Sequence, residues 1–155
     1  MIDIHVHVLG DKEIEAAFAD SPKRAAVMRQ AMDAHLGAIH DRVVPLTPVF
    51  TGTLRGSWST QVSGSGTHVV GVLGSPLIYA AVMEEGRTPG AQMPPPDAIA
   101  AWVAAKMGGT VSAFVVARSI GIKGIRGRHM LLRAIEETRP IVQSIWDAAT
   151  EALIP

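Results

Sequence analysis

The chain has 155 residues, the size of one domain with room for a buried core. Lysine plus arginine equal aspartate plus glutamate at 14 each, which argues against free duplex DNA as the main partner; the absence of cysteine excludes disulfides, thiolate metal sites and a cysteine nucleophile. Only 18% of residues are charged against 48% apolar, and a mean hydropathy of +0.25 suggests apolar surface buried against other subunits.

The elements follow in chain order. Met1 to Leu9 alternates, with Ile2, Ile4, Val6 and Val8 on one side and Asp3, His5 and His7 on the other, which predicts a half-buried strand. Gly10-Asp11 ends it, and Asp11 is placed to cap a short helix through Ala19. Asp3 and the lack of a long apolar stretch make this start unlike a signal peptide. No run reaches the ~18 apolar residues that read as a membrane span, and the lack of cysteine fits a reducing compartment, so a protein made in the cytoplasm is expected.

Ser21-Pro22 reads as a helix start. Met28, Met32, Leu36, Ile39 and Val43 then recur at steps of four and three, predicting an amphipathic helix on the order of 30 Å long. Pro45 and Pro48 are expected to stop it. The stretch TPVFTGTLRGSW, Thr47 to Trp58, reads as a corner, with Gly52 turning the chain and Leu54 anchored in the core. Leu54–Val62 and Thr67–Leu73 are predicted strands joined through Ser63-Gly64-Ser65-Gly66.

Leu77 to Met83 suits either a strand or a short helix, and Glu84 to Pro96 is a loop with four prolines and two glycines. Asp97 is placed to cap a helix that carries Ile99, Trp102 and Val103 on one side and ends at Gly108-Gly109. Another short helix follows from Val111 to Ile120, then glycines at every third position, Gly121, Gly124 and Gly127. A last helix is expected over about Met130 to Leu153, with Pro140 as a kink. The fold class is α+β in a single domain: a small antiparallel sheet with a long N-terminal helix and a C-terminal helix packed on it.

Three patterns bear on chemistry. His5 and His7, two apart on a strand, share a face as in metal-dependent hydrolases, but zinc needs three or four ligands and His35, His40, His68 and His129 show no paired spacing. Ser57, Ser59, Ser63 and Ser65 lie near His68 without a nucleophile elbow, and Glu84-Glu85 diverge as neighbours on either backbone type. Arg118, Lys123, Arg126, Arg128 and Arg133 form a basic segment with no acidic residue from Gly108 to Ile135. Such a glycine-spaced loop suits either a neighbouring subunit's carboxylates or transient, non-specific contact with DNA phosphates.

The order of these pieces carries a resemblance. Pro48, Thr51-Gly52, Leu54-Arg55 and Ser57, then Gly71, Gly74-Ser75, Tyr79-Ala80, Glu84, Gly86 and Thr88, then Trp102 with Lys106 and ARSIGIKGIRGRHMLLRAI, resemble the tail-completion (head–tail joining, or neck) proteins of long-tailed bacteriophages over nearly the whole chain. His129-Met130 stands where the family has proline or phenylalanine, and Glu85 replaces an aromatic. The resemblance implies a structural virion protein rather than an enzyme, without a cofactor or catalytic residues. It would form a homo-oligomeric, six-fold ring in the neck, touching head–tail connector and tail tube or terminator proteins. Head–tail stopper and tail terminator rings are the near alternatives, and a small metal-dependent hydrolase using His5 and His7 is the alternative of another class. Arg55, Tyr79, Glu84, Gly86, Arg87 and Thr88 are the expected interface residues, Arg55 reaching a carboxylate such as Glu84. Arg118, Lys123, Arg126 and Arg128 are the basic group for a neighbour or for phosphate.

Overall fold

The computed structural model describes residues 2–7, 22–65 and 68–153. The short helix expected from Asp11 to Ala19 lies outside them. Backbone packing divides the chain into two compact units, Met1–Leu77 with Met130–Pro155, and Ile78–His129.

In the first unit, β1 (Ile2–His7), β2 (Ser59–Ser65) and β3 (His68–Ser75) form an antiparallel sheet in the order β1-β3-β2. The alternation in β3 explains its central place: Val69, Gly71, Leu73 and Ser75 are buried, while Val70 and Val72 are half-buried. Helix α1 (Pro22–Leu46) covers the sheet with the expected stripe, Met32, Leu36, Ile39 and Val43. Closeness is possible because β3 carries Gly71 where Met32 and Leu36 come down; a Cβ there would lie 2.6 Å from the Met32 Sδ.

The C-terminal helix α5 (Met130–Leu153) packs along α1. Leu131, Ala134, Thr138 and Ala149 are buried on it, the small Ala134, Thr138 and Ala149 allowing close approach, and the Thr138 hydroxyl donates back to the Ala134 carbonyl. Arg42 on α1 is ion-paired with Glu137 on α5, and Trp146 donates its indole N–H to His35 Nδ1 at 3.3 Å. Burial lowers the His35 pKa from its ordinary 6.5, because the charged imidazolium is costly away from water. The α+β class and the long N- and C-terminal helices are as expected from the sequence.

Several boundaries move. Helix α1 runs through Pro45 to Leu46: Pro45 has no N–H to give the carbonyl four residues back, and the end is held from outside instead. The buried Thr47 hydroxyl donates to the Val43 carbonyl at 2.7 Å and accepts the Trp58 indole N–H at 2.8 Å. Strand β2 starts at Ser59 rather than Leu54, since Arg55–Ser57 form a 3-10 turn after Gly52, whose φ of 84° is the left-handed turn expected of it. Leu54 is buried as expected. Ser57 donates to the Leu54 carbonyl and shares a 2.7 Å hydroxyl contact with Ser75, so the corner is tied to the end of β3. The strands run on through Gly64 and Ser65, leaving the connection between them outside the described residues.

Arg29 of α1 donates to the carbonyls of Val62 and Gly64, two apart and so aimed alike along β2. This ties the helix to an edge strand and occupies acceptors that a foreign strand could use.

Candidate interaction surface

The second unit is built from α2 (Ile78–Glu85), β4 (Gly86–Arg87), α3 (Pro96–Met107), α4 (Ala113–Lys123) and β5 (Ile125–Arg126). The ambiguous LIYAAVM stretch is helical. Helix α3 begins at Pro96, so Asp97 sits in its first turn, where a carboxylate favours the positive helix end, rather than at the cap. Gly108 closes it in a left-handed conformation, as expected. The Ser112 side chain accepts from the Val115 amide at the start of α4, which extends past the expected Ile120 to Lys123.

The glycines at every third position have a physical cause. Gly121, Gly124 and Gly127 press against the Glu84–Met93 segment, leaving little or no room for a side chain. A Cβ on Gly127 would meet the Glu84 carbonyl oxygen at 2.5 Å, one on Gly124 would overlap the Arg87 carbonyl, and one on Gly121 would touch Met93 at 3.3 Å. Backbone can then bond to backbone. Gly86 pairs with Arg126 and Arg87 with Ile125, Gly90 N–H donates to Gly121, Arg128 N–H to Met83 and His129 N–H to Glu84. His129 holds a φ of 49°, an uncommon conformation for a side-chain-bearing residue.

The two segments singled out in the sequence thus lie side by side. A shallow depression of about 540 Å³ lies over their ladder, lined by residues 85–88 and 125–127. Gly86, Arg87 and Thr88 therefore meet the segment carrying Arg126. The Arg87 guanidinium donates to the Gln92 carbonyl, while its Nε is buried without a hydrogen-bond partner. Arg118, Lys123, Arg126 and Arg128 are all exposed. Glu84 is buried at 8% exposure, while Tyr79, five residues earlier on the same helix, is exposed.

Arg55 belongs to the first unit, where it donates to the Thr47 carbonyl at 3.2 Å. Its suggested partner, Glu84, belongs to the second. His5 and His7 occupy backbone positions opposite Val72 and Val70 in the β1–β3 register. Among the described residues no group of three His, Cys, Asp or Glu side chains is placed to hold a metal ion, and no helix is long and apolar enough to cross a membrane.

Two features escaped the sequence reading. The β4–β5 ladder has only two residues a side, too few for a periodic signal, although the glycine spacing marks where its flank must be bare. The outward face of α4 is apolar: Phe114, Val115 and Ile122 are 54%, 56% and 60% exposed. Helical periodicity would have grouped them, but not told which face is buried.

No protein-family model, curated protein or solved structure matches the chain.

Proposed function

We infer that the chain is a structural subunit of a ring at the head–tail junction of a long-tailed bacteriophage, completing the tail or joining it to the head. The observation that carries this reading is the concentration of exposed Ile78, Tyr79, Trp102, Phe114, Val115 and Ile122 on one 52-residue unit (Ile78–His129) that also presents exposed cations. A free surface rarely keeps so much apolar area, whereas a subunit covers it on assembly. The Tyr79–Thr88 and Ala117–Ile135 segments, which carry much of the resemblance to neck proteins, meet at the β4–β5 ladder and support the same reading. Neighbouring subunits and connector or tail proteins would cover this surface, with DNA phosphates as a further contact for the basic residues.

The test is genetic and structural. A phage with a stop codon in this reading frame should yield filled heads separate from tails in electron micrographs, and mass spectrometry of purified wild-type particles should detect the chain. Infectious, fully tailed particles without it would overturn the proposal.

A further inference from the structure

Strand β2 is an edge of the three-stranded sheet, and its own sequence lacks the usual protections of an edge. Ser59–Ser65, STQVSGS, carries no charge and no proline, and Ser59, Thr60, Gln61 and Ser63 are exposed. Cover comes from another element. Arg29 of α1 sends Nη1 to the Gly64 carbonyl at 3.2 Å and Nη2 to the Val62 carbonyl at 3.1 Å.

Residues of an antiparallel strand turn their backbone groups alternately toward and away from the partner strand. The bonds to Arg29 mark Val62 and Gly64 as outward, away from β3, and Thr60 shares their parity. Gly64, at a φ of 94°, departs from extended geometry, so the straight part of the edge is Ser59–Ser63. Along it the Val62 carbonyl is held by Arg29. Among the described residues the outward amides of Thr60 and Val62, and the Thr60 carbonyl, have no hydrogen-bond partner.

We propose that Arg29 is a lock on this edge. While its guanidinium holds the Val62 and Gly64 carbonyls β2 stays terminal; once it is removed, β2 pairs antiparallel with β2 of a second copy. The occupant is a second copy because the strand is its own complement. Turned by a two-fold rotation about Gln61, Thr60 of each copy exchanges amide and carbonyl bonds with Val62 of the other, and no charge on either strand opposes the contact. That pairing needs the same Val62 carbonyl that Arg29 occupies, so lock and contact exclude each other.

Hydrogen exchange and sedimentation velocity of the full chain test it. In the wild type the Thr60 and Val62 amides should exchange at least about tenfold faster than the inward Gln61 amide. In Arg29→Ala they should gain at least about tenfold protection as concentration rises, with a dimerisation step that the wild type lacks. Arg29→Lys keeps the charge but not the planar fork, and should show the same effects to a smaller degree. Arg29 is exposed, so unchanged circular dichroism is expected. Val62 lies opposite Gly71, which meets Met32 of α1, so Gln61 is on the sheet's other face, where it is exposed. Arg29→Ala with Gln61→Lys sets two ammonium groups beside the two-fold axis and should return the chain to wild-type sedimentation. Wild-type-like sedimentation of both Arg29 variants, association without protection of these two amides, or association indifferent to Gln61→Lys overturns the lock. Slow exchange of the Thr60 and Val62 amides in the wild type overturns it without any variant.

Discussion

The indole N–H of Trp58 donates to the hydroxyl of Thr47, and that hydroxyl donates in turn to the carbonyl of Val43 in the last turn of α1. One side chain thus satisfies a helix-end acceptor and a buried donor at once. Thr47→Val keeps the shape but strands both groups, which should cost about 1–3 kcal/mol of unfolding free energy. Arg55→Ala removes one part-buried donor to the Thr47 carbonyl, at 3.2 Å and from a side chain that reaches solvent, and should cost about 1 kcal/mol, less than Thr47→Val. Urea titrations of the two variants check the order; equal losses would contradict it.

Gly71 makes the second local commitment. Met32 is completely buried, so its sulfur cannot swing into solvent to admit a methyl group at Gly71. Gly71→Ala should lower stability by about 1–3 kcal/mol through overpacking. Met32→Ala leaves a cavity that the new methyl partly fills, so the double variant should be more stable than the summed losses imply. Thermal melts of the four proteins measure that coupling, and simple additivity would remove the packing explanation.

These two sites show what the sequence could convey. The Met32, Leu36, Ile39 and Val43 stripe was legible because helical period and burial coincide, and Gly52 because its turn needs a positive φ. Pro45 and Pro48 marked the end of the helix, which stops between them at Leu46, whereas the Thr47 and Trp58 contacts that hold that end form only after the chain has turned. Gly121, Gly124 and Gly127 were visible as a spacing but not as a packing surface, since the backbone they admit comes from 28 to 43 residues upstream. The basic group was legible as composition, whereas the exposure of Phe114 and Ile122 depends on tertiary packing.

Acid should weaken the first unit through His35. Its ring is buried against Trp146, edge-on with centroids 6.2 Å apart, and Nδ1 accepts the indole N–H, so the fold favours the neutral form. Its folded-state pKa lies below the unfolded 6.5, so the contribution is complete above about pH 6.5 and is lost as pH falls toward the folded value. Urea midpoints should therefore fall between pH 7.5 and 5 more steeply in the wild type than in His35→Gln. Identical slopes would show that His35 does not supply the acid sensitivity.

The glycine series gives a graded test of the β4–β5 ladder. An added methyl at Gly124 runs into the Arg87 carbonyl and is also strained at a φ of 74°; one at Gly127 meets the Glu84 carbonyl; one at Gly121 lies in tight but adjustable contact with Met93. Backbone cannot yield as a side-chain end can, so Gly124→Ala should be the most damaging, Gly127→Ala next and Gly121→Ala mildest. The readout is hydrogen exchange at the Arg128 and His129 amides, which are bonded to the Met83 and Glu84 carbonyls. Protection should fall in that same order, by at least about tenfold for Gly124→Ala, equivalent to roughly 1.4 kcal/mol of local opening. Equal protection in all three variants would mean that the ladder tolerates the added methyl groups and that the spacing has another origin.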